Sequence, residues 1–199
     1  MQITDLKQKG KSEGYYVKFD DDIVYLLQLE TIVKHHLKVG SELNEEEFFD
    51  IKNESDKLTC FSVALKYISL RLKTEKQMKE YLQKKGFGEQ SILLAIQKLK
   101  DYGYLNDDYF AKTLTQTLSL NKGKRFIKQD LLKKGINYQK LDNYVEDLDE
   151  SLACKEVYQK WIKNKKLPLE IKDKEKLYRF LMSRGFEWDT IKNVINYEE

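Results

Sequence analysis

The sequence is poor in residues that break helices and in residues that carry most catalytic and metal chemistry. One proline and nine glycines occur among 199 residues, which argues against collagen-like, low-complexity and turn-dense β architectures. Cys60 and Cys154 are far apart and outside any CxxC motif, and His35 and His36 are distant from both, so their spacing predicts no metal site. We therefore expect two reduced, buried thiols and two histidines with structural roles.

Long apolar runs and catalytic motifs are missing as well. No stretch of about 18 apolar residues occurs, and the first seven residues lack an apolar core, so we expect a cytoplasmic protein without a membrane span or signal peptide. Motifs of P-loop enzymes, dinucleotide-binding folds, serine hydrolases and zinc proteases are absent. Acidic pairs such as Asp107–Asp108 and Asp147 with Asp149 are expected to be solvated faces or helix caps. These absences predict a protein that is not an enzyme and needs no cofactor, with a carboxylate-based hydrolase as a weaker option.

Charged residues are numerous and unevenly distributed. The chain has 36 Lys and Arg against 33 Asp and Glu, a formal net charge of +3. Residues 1–57 carry 8 basic and 13 acidic side chains, a net charge of −5, whereas residues 58–199 carry 28 and 20, a net charge of +8. This change of sign predicts two modules with different roles, joined near the polar run 53–57.

The first module, residues 1–57, has the pattern of a small mixed fold. Two segments rich in aromatic and β-branched residues, 15–19 and 23–29, are separated by three aspartates, which predicts a β-hairpin. Residues 3–9 could add a third strand. A helix is expected from Thr31 to Gly40.

A second short helix is expected after this first one. Ser41 and Asn44 are both suitable N-caps, and the three glutamates after Asn44 are favourable in a first helical turn.

Residues 58–199 contain a threefold repeat. The copies align on Gly86, Gly135 and Gly185, which are 49 and 50 positions apart. An apolar residue stands eight positions before each glycine, a leucine four before it, a basic residue one before it and an apolar residue one after it. Apolar residues recur six and ten positions after each glycine. This agreement indicates a structural repeat.

The repeat has the periodicity of helices. Apolar stripes lie before and after each glycine, a third lies upstream, and the glycine can end a helix in the left-handed conformation. Thr74 with Gln77 predicts a capping box. We therefore expect a mainly α protein with three-helix repeats at residues 58–106, 107–149 and 150–199. These repeats would form three tandem units in an elongated curved array, preceded by the small β-hairpin-containing N-terminal module.

Basic residues cluster at equivalent places in the repeats. Residues 121–135 hold six basic residues and one acidic residue. Lys124 and Arg125 are expected at the N-terminal end of a helix, where free backbone N–H groups and the helix dipole favour phosphate. Tyr102 and Tyr104 could stack on bases, although we expect them to pack between repeats. The candidate residues for binding a partner or nucleic acid are Lys122, Lys124, Arg125, Lys128, Lys133, Lys134, Arg71 and Lys73.

Several of these motifs resemble those of a known family, the RecX regulatory proteins. Segments match its opening repeat, its link into the second repeat and its second-repeat signature, although Lys124 stands where many members have proline. The resemblance covers about residues 58–199, and the β-containing extension is similar to that of some members from Gram-positive bacteria. The matching segments are 64–75 with 85–87, then 103–111, 122–127 and 131–136.

The resemblance implies a negative regulator of the RecA recombinase. Such a protein would bind in the groove of the RecA–DNA filament, beside its single-stranded DNA, and would inhibit ATP hydrolysis, strand exchange and RecA-dependent repressor cleavage. We expect it to act as a monomer and away from membranes. The alternative from the residues is a stand-alone helical DNA-binding protein that acts through its basic repeats, with weak binding of free DNA left open.

Overall fold

The chain divides into two compact units. The computed structural model describes residues 1–10, 14–165 and 168–198. One unit comprises Met1–Leu72 and Met78–Leu105, and the other comprises Lys73–Gln77 and Asn106–Glu199. The short segment Lys73–Gln77 therefore packs with residues that come much later in the chain.

A three-stranded antiparallel sheet lies in the first unit. Its strands β1 (Ile3–Gln8), β2 (Gly14–Phe19) and β3 (Val24–Gln28) are arranged in the order β1-β2-β3. The turn from β2 to β3 falls on the three aspartates, where Asp22 has a φ of +62° and donates its N–H to the Phe19 carbonyl. The predicted hairpin and third strand are confirmed.

The first helix, α1 (Leu29–Lys34), ends earlier than expected. The prediction that it continues to Gly40 is wrong, because His36 adopts the left-handed conformation with a φ of +51°. The next residue, Leu37, is buried and its N–H bonds to the Ile32 carbonyl at 3.0 Å. A histidine therefore occupies the helix-ending position that usually favours glycine.

The second helix is long. α2 runs from Glu45 to Ser69 through the polar run 53–57, so the prediction of a short helix is wrong. Asn44 and Glu47 form a capping box, with both hydrogen bonds at 2.9 Å, which confirms Asn44 as the N-cap. The polar run contains no proline or glycine to end the helix, and its Ser55 is buried and accepts the Gln28 N–H at 2.8 Å.

After α2, the described residues form eight further helices and no further strand, which confirms the mainly α prediction. In the second copy of the repeat the third helix is shortened to a 3-10 turn, Tyr138–Lys140, followed by α7. The helices are α3 (Glu75–Lys84), α4 (Glu89–Asp101), α5 (Asp107–Leu118), α6 (Lys124–Lys133), α7 (Leu141–Val145), α8 (Ser151–Ile162), α9 (Ile171–Ser183) and α10 (Trp188–Glu198).

The apolar positions of the repeat form the cores of its three copies. The predicted capping box of Thr74 and Gln77 is confirmed, with both hydrogen bonds at 3.2 Å. The positions eight and four residues before each glycine are all 0% exposed, and they are Met78, Leu82, Ile127, Leu131, Leu177 and Leu181. The positions six and ten residues after each glycine are at most 3% exposed, and they are Ile92, Ile96, Leu141, Val145, Ile191 and Ile195.

The middle helix of the third copy begins a turn earlier than its counterparts. Gly185 lies fourteen residues after the start of α9, whereas the glycines of the other copies lie eleven residues after the starts of α3 and α6. Lys174, which aligns with Glu75 and Lys124, is therefore inside the helix. Its N–H bonds to the Glu170 carbonyl at 2.9 Å.

Both cysteines are buried free thiols, as predicted. Burial raises the pKa of the Cys60 thiol to about 11 and that of the Cys154 thiol to about 12. Within the described ranges, no group of His, Cys, Asp and Glu side chains could hold a metal ion. None of the described helices combines the length and hydropathy needed to cross a bilayer.

Gly185→Ala should destabilise the protein more than Gly86→Ala. Both glycines have a φ of +85°, so alanine at either position costs about 1–2 kcal/mol. A Cβ at Gly185 would also lie 2.3 Å from the Phe126 backbone N, whereas a Cβ at Gly86 meets nothing within 4 Å. We expect overpacking to add about 1–3 kcal/mol for Gly185→Ala. Urea unfolding followed by circular dichroism measures the difference. Equal losses in the free energy of unfolding for the two variants would show that Phe126 moves aside without cost.

Candidate interaction surface

Two junctions in the second unit share one design. At each, the first N–H group of a middle helix donates to a carboxylate at the start of a later helix. The Glu75 N–H bonds to Asp107 Oδ1 at 2.9 Å, and the Lys124 N–H bonds to Glu150 Oε2 at 2.8 Å. A carboxylate is the favoured partner there because the helix dipole places partial positive charge at this end.

Each junction also brings the start of a middle helix against the glycine that ends another one. Thr74 Oγ1 donates to the Lys134 carbonyl at 2.6 Å, and the Gly123 N–H donates to the Arg184 carbonyl at 3.0 Å. A Cβ placed on Gly135 would lie 2.5 Å from Lys76 Cβ, so both glycines admit a close approach. The repeated glycine therefore serves contact between segments as well as helix termination.

At the N-terminal end of α6, three backbone N–H groups are consequently already bonded within the protein. The N–H groups of Gly123, Lys124 and Arg125 donate to the Arg184 carbonyl, to Glu150 and to the Gly185 carbonyl. The expectation of free N–H groups at this helix end is wrong, because contacts from a distant part of the chain occupy them. Attraction for an anion there must come from side chains.

Glu150 is the functional residue of this junction that the sequence reasoning missed. It is 3% exposed, and its second oxygen, Oε1, accepts the Glu187 N–H at 2.6 Å. One buried carboxylate thus satisfies the N–H groups of two segments. The available signal was its position just before an apolar helix, at the place that Asp107 occupies in the preceding copy.

The other acidic residues confirm the expectation of caps and surface contacts. Asp149 accepts the Ser151 N–H at 2.9 Å, and this bond lowers the pKa of the Asp149 carboxyl. Asp108 accepts hydrogen bonds from the Tyr144 hydroxyl and, at 3.3 Å, from Lys140 Nζ. The bond from Tyr144, followed by that from Lys140, lowers the pKa of the Asp108 carboxyl.

Two cations stand side by side next to the α6 junction. Lys122 Nζ lies 4.1 Å from the centroid of the Phe126 ring, and the Arg184 guanidinium carbon lies 5.0 Å from that of Phe180. Burial lowers the pKa of Lys122, and the neighbouring charge of Arg184 lowers it further. Within the described ranges no carboxylate pairs with either side chain. Arg125 belongs to the same junction, because its N–H bonds to the Gly185 carbonyl, and its side chain is exposed. We call Lys122, Arg125 and Arg184 the junction cations.

The other predicted residues of α6 have more varied surroundings. Lys124 Nζ donates to the Glu146 carbonyl at 3.1 Å, Lys128 pairs with Asp142 at 2.5 Å and Lys134 lies 4.0 Å from Asp130. Arg125 and Lys133 are exposed. Of the predicted cluster, Arg125 and Lys133 are therefore the most exposed side chains, whereas Lys122 is half-buried.

The last two predicted residues lie apart from α6 in the chain. Arg71 is exposed and belongs to the first unit, whereas Lys73 belongs to the second unit and is 5% exposed. The histidines have structural settings, with His35 Nε2 2.9 Å from Glu54 Oε2.

Glu150→Ala should destabilise the second unit. It removes the acceptors of the Lys124 and Glu187 N–H groups, and we expect a loss of about 2–4 kcal/mol in the free energy of unfolding. Glu146→Ala is the control, because only the backbone carbonyl of Glu146 is used and the loss should stay below about 0.5 kcal/mol. Urea unfolding followed by tryptophan fluorescence compares them, since Trp161 and Trp188 both lie in this unit. Similar losses for the two variants would contradict the role of the Glu150 carboxylate.

Comparisons with known proteins agree with the repeat pattern. A family model for the first three-helix domain of RecX matches residues 60–99, and one for the third three-helix domain matches residues 148–195. A solved structure described as regulatory protein RecX has a TM-score of 0.71 and 19% identity, with 98% of each chain covered. RecX from Lactobacillus salivarius has a TM-score of 0.63 and 26% identity, covering 71% of this chain and 96% of that one.

The similarity extends over the whole sequence. A protein named Regulatory protein RecX from Clostridium botulinum (strain Eklund 17B / Type B) is 32% identical over 200 residues, which cover 98% of this chain and 94% of the relative. The match therefore includes the N-terminal sheet as well as the three helical repeats. With its length, repeat motifs and fold all shared, the chain belongs to the RecX family of regulatory proteins.

Proposed function

We propose that the protein is a negative regulator of a RecA-type recombinase. It would bind as a monomer in the groove of the RecA–DNA filament and inhibit ATP hydrolysis, strand exchange and stimulated repressor cleavage. The observation that carries this proposal is the relationship to a regulatory protein RecX at 32% identity over 98% of the chain. Family membership also favours a binding role over catalysis.

The charge of the repeats supports an anionic partner. Residues 58–199 have a net charge of +8, and the junction cations contribute to it, with Arg125 exposed and Lys122 and Arg184 half-buried. Because the backbone N–H groups at the start of α6 are already bonded, the side chains of Lys122, Arg125 and Arg184 would supply the attraction. Arginine suits phosphate and carboxylate because its planar guanidinium can donate two parallel hydrogen bonds.

We propose the predicted repeats at residues 58–106, 107–149 and 150–199 as the binding modules. Several modules on one chain can contact successive protomers of a filament, and each contact raises the effective concentration of the next. Inhibition would result because a protein bound in the groove blocks the movements and additions that turnover requires.

ATP turnover by RecA on single-stranded DNA tests this function directly. We expect the protein to slow steady-state ATP hydrolysis in a concentration-dependent way when it is added to preformed filaments. Unchanged turnover at saturating protein, with binding to the filament verified by sedimentation, would refute inhibition. Absence of co-sedimentation would refute filament binding itself.

Removing two junction cations should weaken filament binding. We expect Lys122→Gln with Arg125→Gln to reduce affinity about tenfold or more and to lower the slope of log affinity against log salt by about 2. Lys7→Gln with Lys38→Gln is the matched control, because it removes the same charge from exposed positions of the acidic module. Fluorescence anisotropy of the labelled protein measures binding. Equal salt slopes for the two double variants would place the contact elsewhere.

The second candidate function is a stand-alone DNA-binding protein. The observation that favours it is the positive charge of Lys122 and Arg184, with which no carboxylate in the described part of the chain pairs. A gel shift with DNA and without RecA separates the two functions: tight, sequence-specific binding supports this candidate, and weak, sequence-independent binding supports the filament regulator.

A further inference from the structure

Three aromatic rings and a lysine form a cluster in the first unit. The ring centroids of Phe61 and Tyr102 are 6.1 Å apart, and those of Tyr102 and Tyr104 are 5.9 Å apart. Lys98 Nζ lies 4.4 Å from the Phe61 centroid and 5.9 Å from the Tyr102 centroid. We call these four side chains the aromatic cluster.

The two tyrosines are displayed at the surface. Tyr102 is 57% exposed and Tyr104 is 54% exposed, so the expectation that they pack between repeats is wrong. Exposing two adjacent large rings forgoes the free energy that their burial would contribute. Exposed apolar side chains that lie next to one another are typical of a binding surface.

The backbone holds this display in place. Gly103, between the tyrosines, has a φ of +72°, and the N–H groups of Tyr104 and Leu105 both donate to the Leu99 carbonyl, at 2.9 and 3.2 Å. Leu105 is buried and anchors the turn beyond α4. Little ordering is therefore needed when a ligand meets the rings, which favours affinity.

The charge beside the rings is positive. Lys98 is exposed and its ammonium group lies against two ring faces. The nearest acid in sequence, Asp101, accepts a hydrogen bond from the Gln97 side-chain amide at 2.8 Å. A cation beside exposed rings suits a ligand that carries both flat apolar faces and negative charge.

We propose that the aromatic cluster binds single-stranded nucleic acid, with bases stacked on Tyr102 and Tyr104 and a backbone phosphate near Lys98. Duplex DNA keeps its base faces stacked inside the helix, whereas a single strand offers them to aromatic side chains. Because stacking uses the π-face that every base has, this binding tolerates any sequence. The site is separate in sequence from the junction cations and requires no recombinase.

Binding to a labelled oligothymidylate of roughly 15 nucleotides, followed by fluorescence anisotropy without RecA, tests the proposal. We expect Tyr102→Ala with Tyr104→Ala to weaken binding about tenfold or more, because each stacked base contributes measurably to affinity. Tyr102→Phe with Tyr104→Phe should bind like the unaltered protein, since the rings remain. Tyr138→Ala, at a tyrosine that is 75% exposed in the second unit, is the control and should have no effect.

An abasic strand of the same length and charge separates stacking from attraction to phosphate. We expect the unaltered protein to bind it about tenfold more weakly than oligothymidylate, and the double alanine variant to lose this preference. Equal affinity for both strands, or unchanged affinity of the double alanine variant, would overturn the proposal. Lost binding by the double phenylalanine variant would overturn it too, by assigning the contact to the hydroxyl groups.

The outcome is separable from that of the proposed function. Circular dichroism and urea unfolding of each variant show whether the first unit stays folded. Inhibition of RecA turnover by a double alanine variant that no longer binds free oligonucleotide would leave the regulator intact and make the cluster an accessory contact. If the cluster binds oligonucleotide but the protein has no effect on RecA turnover, the inference about the cluster would stand and the proposed regulation of RecA would be refuted.

Discussion

The second unit depends on carboxylates that accept hydrogen bonds from the first N–H groups of helices that come earlier in the chain. Asp107 and Glu150 each accept the first N–H group of a middle helix, and the same helix ends contact a glycine turn of another copy. These polar contacts join residues that are distant in sequence, and apolar side chains are buried around them. A buried acceptor such as Glu150 is tolerated because both of its oxygens are bonded.

Because the backbone at the start of α6 is used in these hydrogen bonds, the positive charge near this helix end resides on side chains. A helix start normally attracts anions through its backbone, but at α6 that capacity is used inside the fold. The positive charge beside this helix start is carried by the side chains of Lys122 and Arg184, which lie against the rings of Phe126 and Phe180.

The sequence was informative where local periodicity determines structure. Leu82, Leu131 and Leu181 recur at one distance from a glycine, and this alone located the middle helices and their buried faces. The hairpin could be predicted in the same way, because its two strands are neighbours in sequence and the turn between them has a local signature. The length of α2, the left-handed His36 and the role of Glu150 depend on the segments that pack against them, and no spacing rule encodes that. The exposure of Tyr102 and Tyr104 was missed for the same reason, since aromatic residues beside a repeat boundary ordinarily indicate packing.

The early start of α9 bears on how such a chain can grow by duplication. In the first two copies the first N–H group of the middle helix takes its acceptor from a later helix, so each of those copies is incomplete without the next copy. In the third copy the extra turn supplies that acceptor from Glu170, at the start of the same helix. A further copy could not attach there in the same way unless the turn first unwound. The third copy thus satisfies within one helix an N–H group that each earlier copy satisfies with a carboxylate of the next copy.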